Sequence, residues 1–266
     1  MPWPLFDILL ALPVYALVLF RISGLMLTAP VFGSRLVPVR VRAALTLTVA
    51  ALVFPLVRGQ APAEMTLSMA LVGGVGEMMI GVIIGLAMGI LLMGAEVAGL
   101  IVGRQAGLAL ANVYDPSRNE QATIVGQVYT ISFTLLFLLA GGHRATMAAV
   151  LDTFDVIPLL SFRFEESFAV LLVEMLAAAF ILGIRLAGPV LLALFMLGIA
   201  LAFLSRTMPQ LNILTVGFTL RLLAAVAVAA LALSACQDVL LDAVWDGVEL
   251  IRATFGLDPS DNRLVG

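Results

Sequence analysis

The sequence predicts an all-α, polytopic membrane-type protein built of helical hairpins, and three observations lead there. Hydrophobic residues fill 62% of the 266 positions and charged residues only 12%, against roughly a quarter charged in soluble domains. Mean hydropathy is +1.15, and the apolar positions gather into runs, several of them short for the roughly 20 residues of a lipid span and interrupted by ionisable residues. Many of the helices are therefore expected to pack against other proteins or an aqueous path and not against lipid alone. Pro, Gly and Arg punctuate those runs, as helix ends and turns require.

The same composition excludes several functions. The net charge is −3, so no basic patch exists to neutralise nucleic-acid phosphates. One cysteine, Cys236, rules out a disulfide framework, and one histidine, His143, leaves no zinc cluster. Asp7 precedes the first apolar run with no basic residue before it, so the start does not read as a cleaved signal peptide. No nucleophile elbow, phosphate loop or paired-acid motif occurs; Gly103 and Gly107 lack the Gly-Lys-Ser/Thr that a phosphate loop needs. The expectation is therefore no enzyme, no catalytic residue, no cofactor and no metal.

The first apolar run, residues 8–29, contains Arg21. At the centre of a lipid-facing helix an Arg costs about 2.5–3.5 kcal/mol, which favours a protein-facing position. Pro30 and Gly33 end the run, and Arg35, Arg40 and Arg42 form the most basic loop of the chain. The positive-inside rule puts that loop in the cytoplasm and the N-terminus outside. A shorter run, 43–57, stops at Arg58 and Pro62. The third run, 67–102, is too long for one simple span and carries Glu77 and Glu96. Gly81, Gly85 and Gly89 lie four residues apart within it, on one helix face, a signal for close helix contact with no indication of the partner. Gly99 and Gly103 keep a face narrow further along. Met78, Met79, Met88 and Met93 among these glycines read as flexible core filler, with a deformable pore lining as the alternative.

Arg104 suits the negative end of a helix dipole, and Gly107 tolerates the left-handed conformation that closes a helix. Leu108, Leu110, Ala111, Val113 and Tyr114 then make an apolar loop. The next helix starts at Asp115 with Pro116 as its first residue, or at Ser117, which has capping-box spacing to Glu120. In a membrane-type chain such a loop must be buried in protein or line a cavity.

Residues 124–139 form an uncharged apolar helix that turns at Gly141, Gly142, His143 and Arg144. His143 reads as a polar turn residue, a proton carrier being the alternative. A short helix, 145–154, leads to Pro158, and 162–166 is a polar connection. A fifth helical region, 168–186, contains Glu174 and Arg185, too far apart to pair on one helix. Pro189 starts a sixth segment that runs to about residue 205, with Arg206 in its last turn. Gln210 follows, and Asn212 caps the last long segment. That segment changes character at Gln237: Asp238, Asp242, Asp246 and Glu249 recur along one face. The pattern is an amphipathic helix whose acidic stripe is a solvated face or a docking surface for a basic partner. One helical domain, 1–256, with a polar tail, 257–266, is the expected organisation.

Arg21, Glu77, Glu96, Arg104, Glu174, Arg185, Arg206, Gln210 and Asn212 are the candidate polar contacts between helices or subunits. Intramembrane charges face a bundle interior or a water-filled path and need partners. Pairing is the expected role; ion or proton movement is the alternative. No inverted repeat is visible, which weakens a small-molecule transporter.

Four stretches resemble one family. They are the RISGLMLTAPVFG run from Arg21 to Gly33, the GRQAGL run from Gly103 with Asp115-Pro116 after it, Gly141-Gly142-His143 with Asp152, Phe154 and Pro158, and Arg206 to Asn212 with Pro209. In this order they resemble the FliR family, the R subunit of the flagellar protein-export gate. The resemblance implies inclined helices, and a fold similar to a FliP and a FliQ joined end to end. It implies partners FliP and FliQ, with FlhB and FlhA nearby, and unfolded flagellar proteins as export substrates. It places the chain in the bacterial inner membrane at the flagellar basal body, with much of the mature core above the bilayer. It also implies that residues 107–123 are a plug that fills the channel at rest, with Gly107, Leu108, Leu110, Ala111, Val113, Tyr114, Asp115 and Pro116 within it. Relatives often carry bulkier aromatics where Leu110 and Val113 stand. The injectisome homologue has the same architecture and a virulence substrate.

Overall fold

The computed structural model describes residues 4–34, 37–60, 67–107, 124–208 and 213–257. Among these residues all regular structure is helical. In chain order the helices are α1 (Pro4–Thr28), α2 (Val39–Val57), a 3-10 turn (Arg58–Gln60), α3 (Leu67–Gln105), α4 (Ile124–Leu139), α5 (Gly142–Val156), α6 (Glu166–Thr207), α7 (Ile213–Ala235) and α8 (Gln237–Thr254). Four of them are long and apolar enough to cross a membrane, or five if α4 and α5 count as one span.

Most boundaries follow local chemistry. Gly107 closes α3 at φ 87° with its N–H on the Arg104 carbonyl, and Gly141 opens α5 at φ 76°. One expectation is overturned. The fifth and sixth segments are a single 42-residue helix with Pro189 inside it, about 63 Å long at a rise of 1.5 Å per residue. Pro189 lacks the N–H that would reach the carbonyl of Arg185 and its ring crowds that carbonyl, a local cost that does not end the helix. The apolar residues on either side carry the helix through.

The tail also begins later than the sequence suggests. Gly256 (φ 68°) sends its N–H to the Ala253 carbonyl, and Leu257 sends its own to Arg252. This is a Schellman ending, and it buries the apolar residue after the glycine: Leu257 is 4% exposed. Residues 258–266 lie outside the described residues.

The chain forms two compact regions, interleaved in sequence. The first comprises Met1–Ile90, Gly141–Met175 and Val244–Gly266. There α1 packs on α2, with the Tyr15 hydroxyl donating to the Leu47 carbonyl and the Tyr15 and Phe54 rings edge to face at 6.0 Å. Phe168 stacks on Phe162 at 5.7 Å and lies against Phe255 of the chain's end at 4.9 Å. The second region comprises Leu91–Ala140 and Leu176–Ala243. Its core joins the end of α3 to α4, α6 and α7, with Tyr129, Phe133 and Phe137 of α4 all buried.

Candidate functional site

The centre of the first region is a charge cluster. Arg21 of α1 and Glu77 of α3 are both fully buried and pair at 2.6 Å. The guanidinium Nε donates to Glu77 Oε2 at 2.7 Å, Nη1 to Thr153 Oγ1 at 3.0 Å and Nη2 to the Ile157 carbonyl at 3.1 Å. The face of the Phe154 ring lies 4.1 Å from Arg21 Cζ. The second Glu77 oxygen accepts the Leu160 N–H at 2.8 Å. Leu160 has φ 67°, a left-handed conformation unusual for a residue with a branched side chain. The carboxylate therefore ties down a strained turn as well as neutralising a cation. A buried pair of this kind persists only when its remaining donors and acceptors are satisfied.

Glycines decide how close the helices come. A methyl group at Gly81 would overlap the Arg21 carbonyl, one at Gly85 the Thr28 hydroxyl, and one at Gly24 the Met78 carbonyl. Gly89 has the Thr28 carbonyl 3.4 Å from its missing Cβ. The partner that the four-residue spacing left unnamed is α1 of the same chain. Thr28 adds a polar contact there, its hydroxyl within 3.3 Å of the Val82 carbonyl. Gly73, Gly74 and Gly76 leave room for the side chains of Leu160, Phe20 and Phe162. In the second region Gly99 meets Gly126 of α4, Gly94 meets the Ala179 carbonyl of α6, and Gly103 is buried.

The other candidate charges stand differently. Glu96, Arg104, Glu174, Arg185 and Arg206 are all exposed, and they form no ion pair among the described residues. Gln210, Asn212 and the segment with Leu108, Leu110, Ala111, Val113, Tyr114, Asp115 and Pro116 lie outside the described residues. Gly107, the last residue described before that segment, lines an open cavity of about 630 Å³ with Ala106, Leu201, Ser205, Phe218 and Arg221. His143 is half-buried, and its Nδ1 has no hydrogen-bond partner. No group of three His, Cys, Asp or Glu side chains among the described residues could hold a metal ion.

The structure supplies pairings that the sequence did not assign. Asp152 accepts from Arg252 Nη1 at 2.8 Å, joining α5 to α8 across 100 residues. The acidic stripe of α8, Asp238, Asp242, Asp246 and Glu249, is exposed, while Leu240, Val244, Val248 and Ile251 are buried on the other side. Thr153 and Leu160, ordinary residues in isolation, complete the coordination of the Arg21–Glu77 pair. The only signal for them was Arg21 itself, a cation in an apolar run that had to find acceptors.

Long apolar helices, close glycine contacts and charges held inside a helical core define an all-helical polytopic membrane protein. Residues 12–246 match the family described as bacterial export proteins, family 1, and the chain belongs to that family. It is 30% identical over 234 residues to a flagellar biosynthetic protein FliR of Bacillus subtilis (strain 168), covering 86% of this chain and 87% of the relative. A flagellar biosynthetic protein FliR of Escherichia coli (strain K12) is 30% identical over 205 residues, 77% of this chain and 78% of its own length. Yop proteins translocation protein T of Yersinia pestis is 28% identical over 213 residues, 78% and 80% of the two chains.

Proposed function

We propose that this chain is the R subunit of the flagellar type III protein export gate, a channel component that acts by assembly and gating without catalysing a reaction. Several relatives bear a flagellar name, two of them at 30% identity over three quarters or more of this chain. The observation that carries the reading is physical. Glu96, Glu174 and Arg185 stand exposed on helices that otherwise have the composition of membrane spans. Charges so placed need partners or water, and none of the three has an ion-pair partner among the described residues. Helices of neighbouring subunits meet that need, which fits FliP and FliQ around this chain, with FlhB and FlhA at the base. The subunit then resides in the inner membrane at the flagellar basal body, its fold equivalent to a FliP and a FliQ joined.

In this reading residues 107–123 plug the channel at rest, and unfolded flagellar proteins displace them. Gly107 at φ 87° provides the swivel at the plug's base. Leu108, Leu110 and Val113 seal by dewetting a narrow pore. The proton-motive force and an ATPase complex drive export from elsewhere. Deleting residues 110–119 tests the plug: an assembled gate should leak ions at rest, and unchanged conductance overturns it. Crosslinking from position 113 to an exported subunit separates a gate from a scaffold that never meets substrate. The Yersinia relative supports a second reading, an injectisome export-gate subunit. Restoration of motility to a strain lacking its flagellar R subunit decides between the two.

A further inference from the structure

The chain reverses between α5 and α6 in a turn that two other helices hold shut. Residues 158–161 form a β-turn, closed by the Ser161 N–H on the Pro158 carbonyl at 3.1 Å. Its third residue, Leu160, has φ 67°, the position and sign at which such turns ordinarily take Gly or Asn. A glycine there would keep this shape unaided. The leucine keeps it only with outside support, because its side chain opposes the left-handed conformation.

That support comes from a single ion pair, which grips both ends of the turn. On the near side Arg21 Nη2 donates to the carbonyl of Ile157, the residue that caps the end of α5, at 3.1 Å. On the far side Glu77 Oε1 accepts the Leu160 N–H at 2.8 Å. Arg21 belongs to α1 and Glu77 to α3, and each orients the other at 2.6 Å, so neither keeps its hold if the two helices part. How closely those helices lie is set one turn further along α3, at Gly81, whose missing Cβ would overlap the Arg21 carbonyl. The overlap is with backbone, so no side chain can swing aside to absorb it. Two notches complete the arrangement: the Leu160 side chain lies over Gly73, and the Phe162 ring over Gly76.

We infer that the α5–α6 turn is a conditional latch. Residues 158–161 hold this shape only while α1 and α3 keep Arg21 and Glu77 together, and a shift of α1 against α3 releases the turn and withdraws Leu160 from the notch at Gly73. The latch converts a movement of the first helix into a backbone change just before α6. It lies wholly within the first region and does not depend on the gate reading.

The test is hydrogen exchange read by mass spectrometry on the full-length protein in detergent, comparing the peptide that spans residues 157–165 with α4 as the reference. Gly81→Ala drives a methyl group into the Arg21 carbonyl without touching the turn, and should speed exchange there about tenfold, the scale set by one left-handed leucine. Thr153→Val, of nearly the same shape, takes one acceptor from Arg21 and should act the same way by about threefold; it decides alone if the wedge at position 81 prevents folding. With Leu160→Gly in place, either substitution should change exchange in the turn by less than about twofold, because glycine needs no latch. A general loosening would speed exchange whichever residue stood at position 160. Unchanged exchange at 157–165 in either variant, with α4 as protected as in the unmodified protein, overturns the inference. So does an increase that Leu160→Gly leaves intact.

Discussion

Arg21 and Arg185 are the same residue type on helices of similar greasiness, and they live in opposite conditions. Arg21 is fully buried, with three acceptors, a counter-charge and an aromatic face around it. Arg185 is exposed on α6 with no ion pair among the described residues. The helix that carries Arg21's counter-charge differs from that of Arg185 in the same way. In α3, 61% of the apolar window is buried within the chain, against 28% in α6 and 22% in α7. A charge satisfied at home serves the fold of this one chain. A charge left outside on an apolar helix still needs a partner or water. Polar residues in such a protein therefore divide by whether their own chain covers the position, and on α3 the line falls between buried Glu77 and exposed Glu96.

The sharpest way to break this contrast is to remove one half of the inner pair. Arg21→Ala or Glu77→Ala leaves an uncompensated buried charge and should cost about 3–5 kcal/mol, enough to abolish accumulation of folded protein. Arg21→Met combined with Glu77→Leu should recover much of that loss, as melting in detergent will read. A smaller effect is expected from the close approach of α1 and α3. Gly81→Val forces the helices apart at the Arg21 carbonyl and should cost about 1–3 kcal/mol, by the logic of overpacking, seen as a lower melting temperature with the fold retained. The smallest effect on the chain itself belongs to the outer charge. Arg185→Gln should change stability by no more than about 0.5 kcal/mol, while weakening co-purification with its neighbours. A melting point that falls as far as with Arg21→Ala would erase the distinction.

How much of this could be read in advance depended on the reach of each cause. The glycine period at 81, 85 and 89 encodes a flat helix face by spacing alone, and the left-handed residues at 107 and 141 need nothing beyond their neighbours. The Arg21–Glu77 pair spans 56 residues and Asp152–Arg252 spans 100, so the sequence showed the need for partners without showing which. Pro189 misled in the other direction. Its local preference for a helix start was outweighed by the apolar stretches flanking it, and one lost hydrogen bond did not stop a 42-residue helix. Leu160 gave no warning at all, because its backbone conformation is imposed by a carboxylate 83 positions earlier.

The interleaving of the first region has a consequence for how the molecule is made. Phe255 covers Phe168, and Arg252 reaches back to Asp152, from a segment synthesised after both. Domains fold as units, so the stretch around Asp152 and Phe168 must wait, partly uncovered, until α8 is made and closes it. That interval is when insertion factors and proteases compete for the nascent chain. A bulky group introduced directly after Leu257 would crowd the contact of Phe255 with Phe168, and a spacer belongs between them.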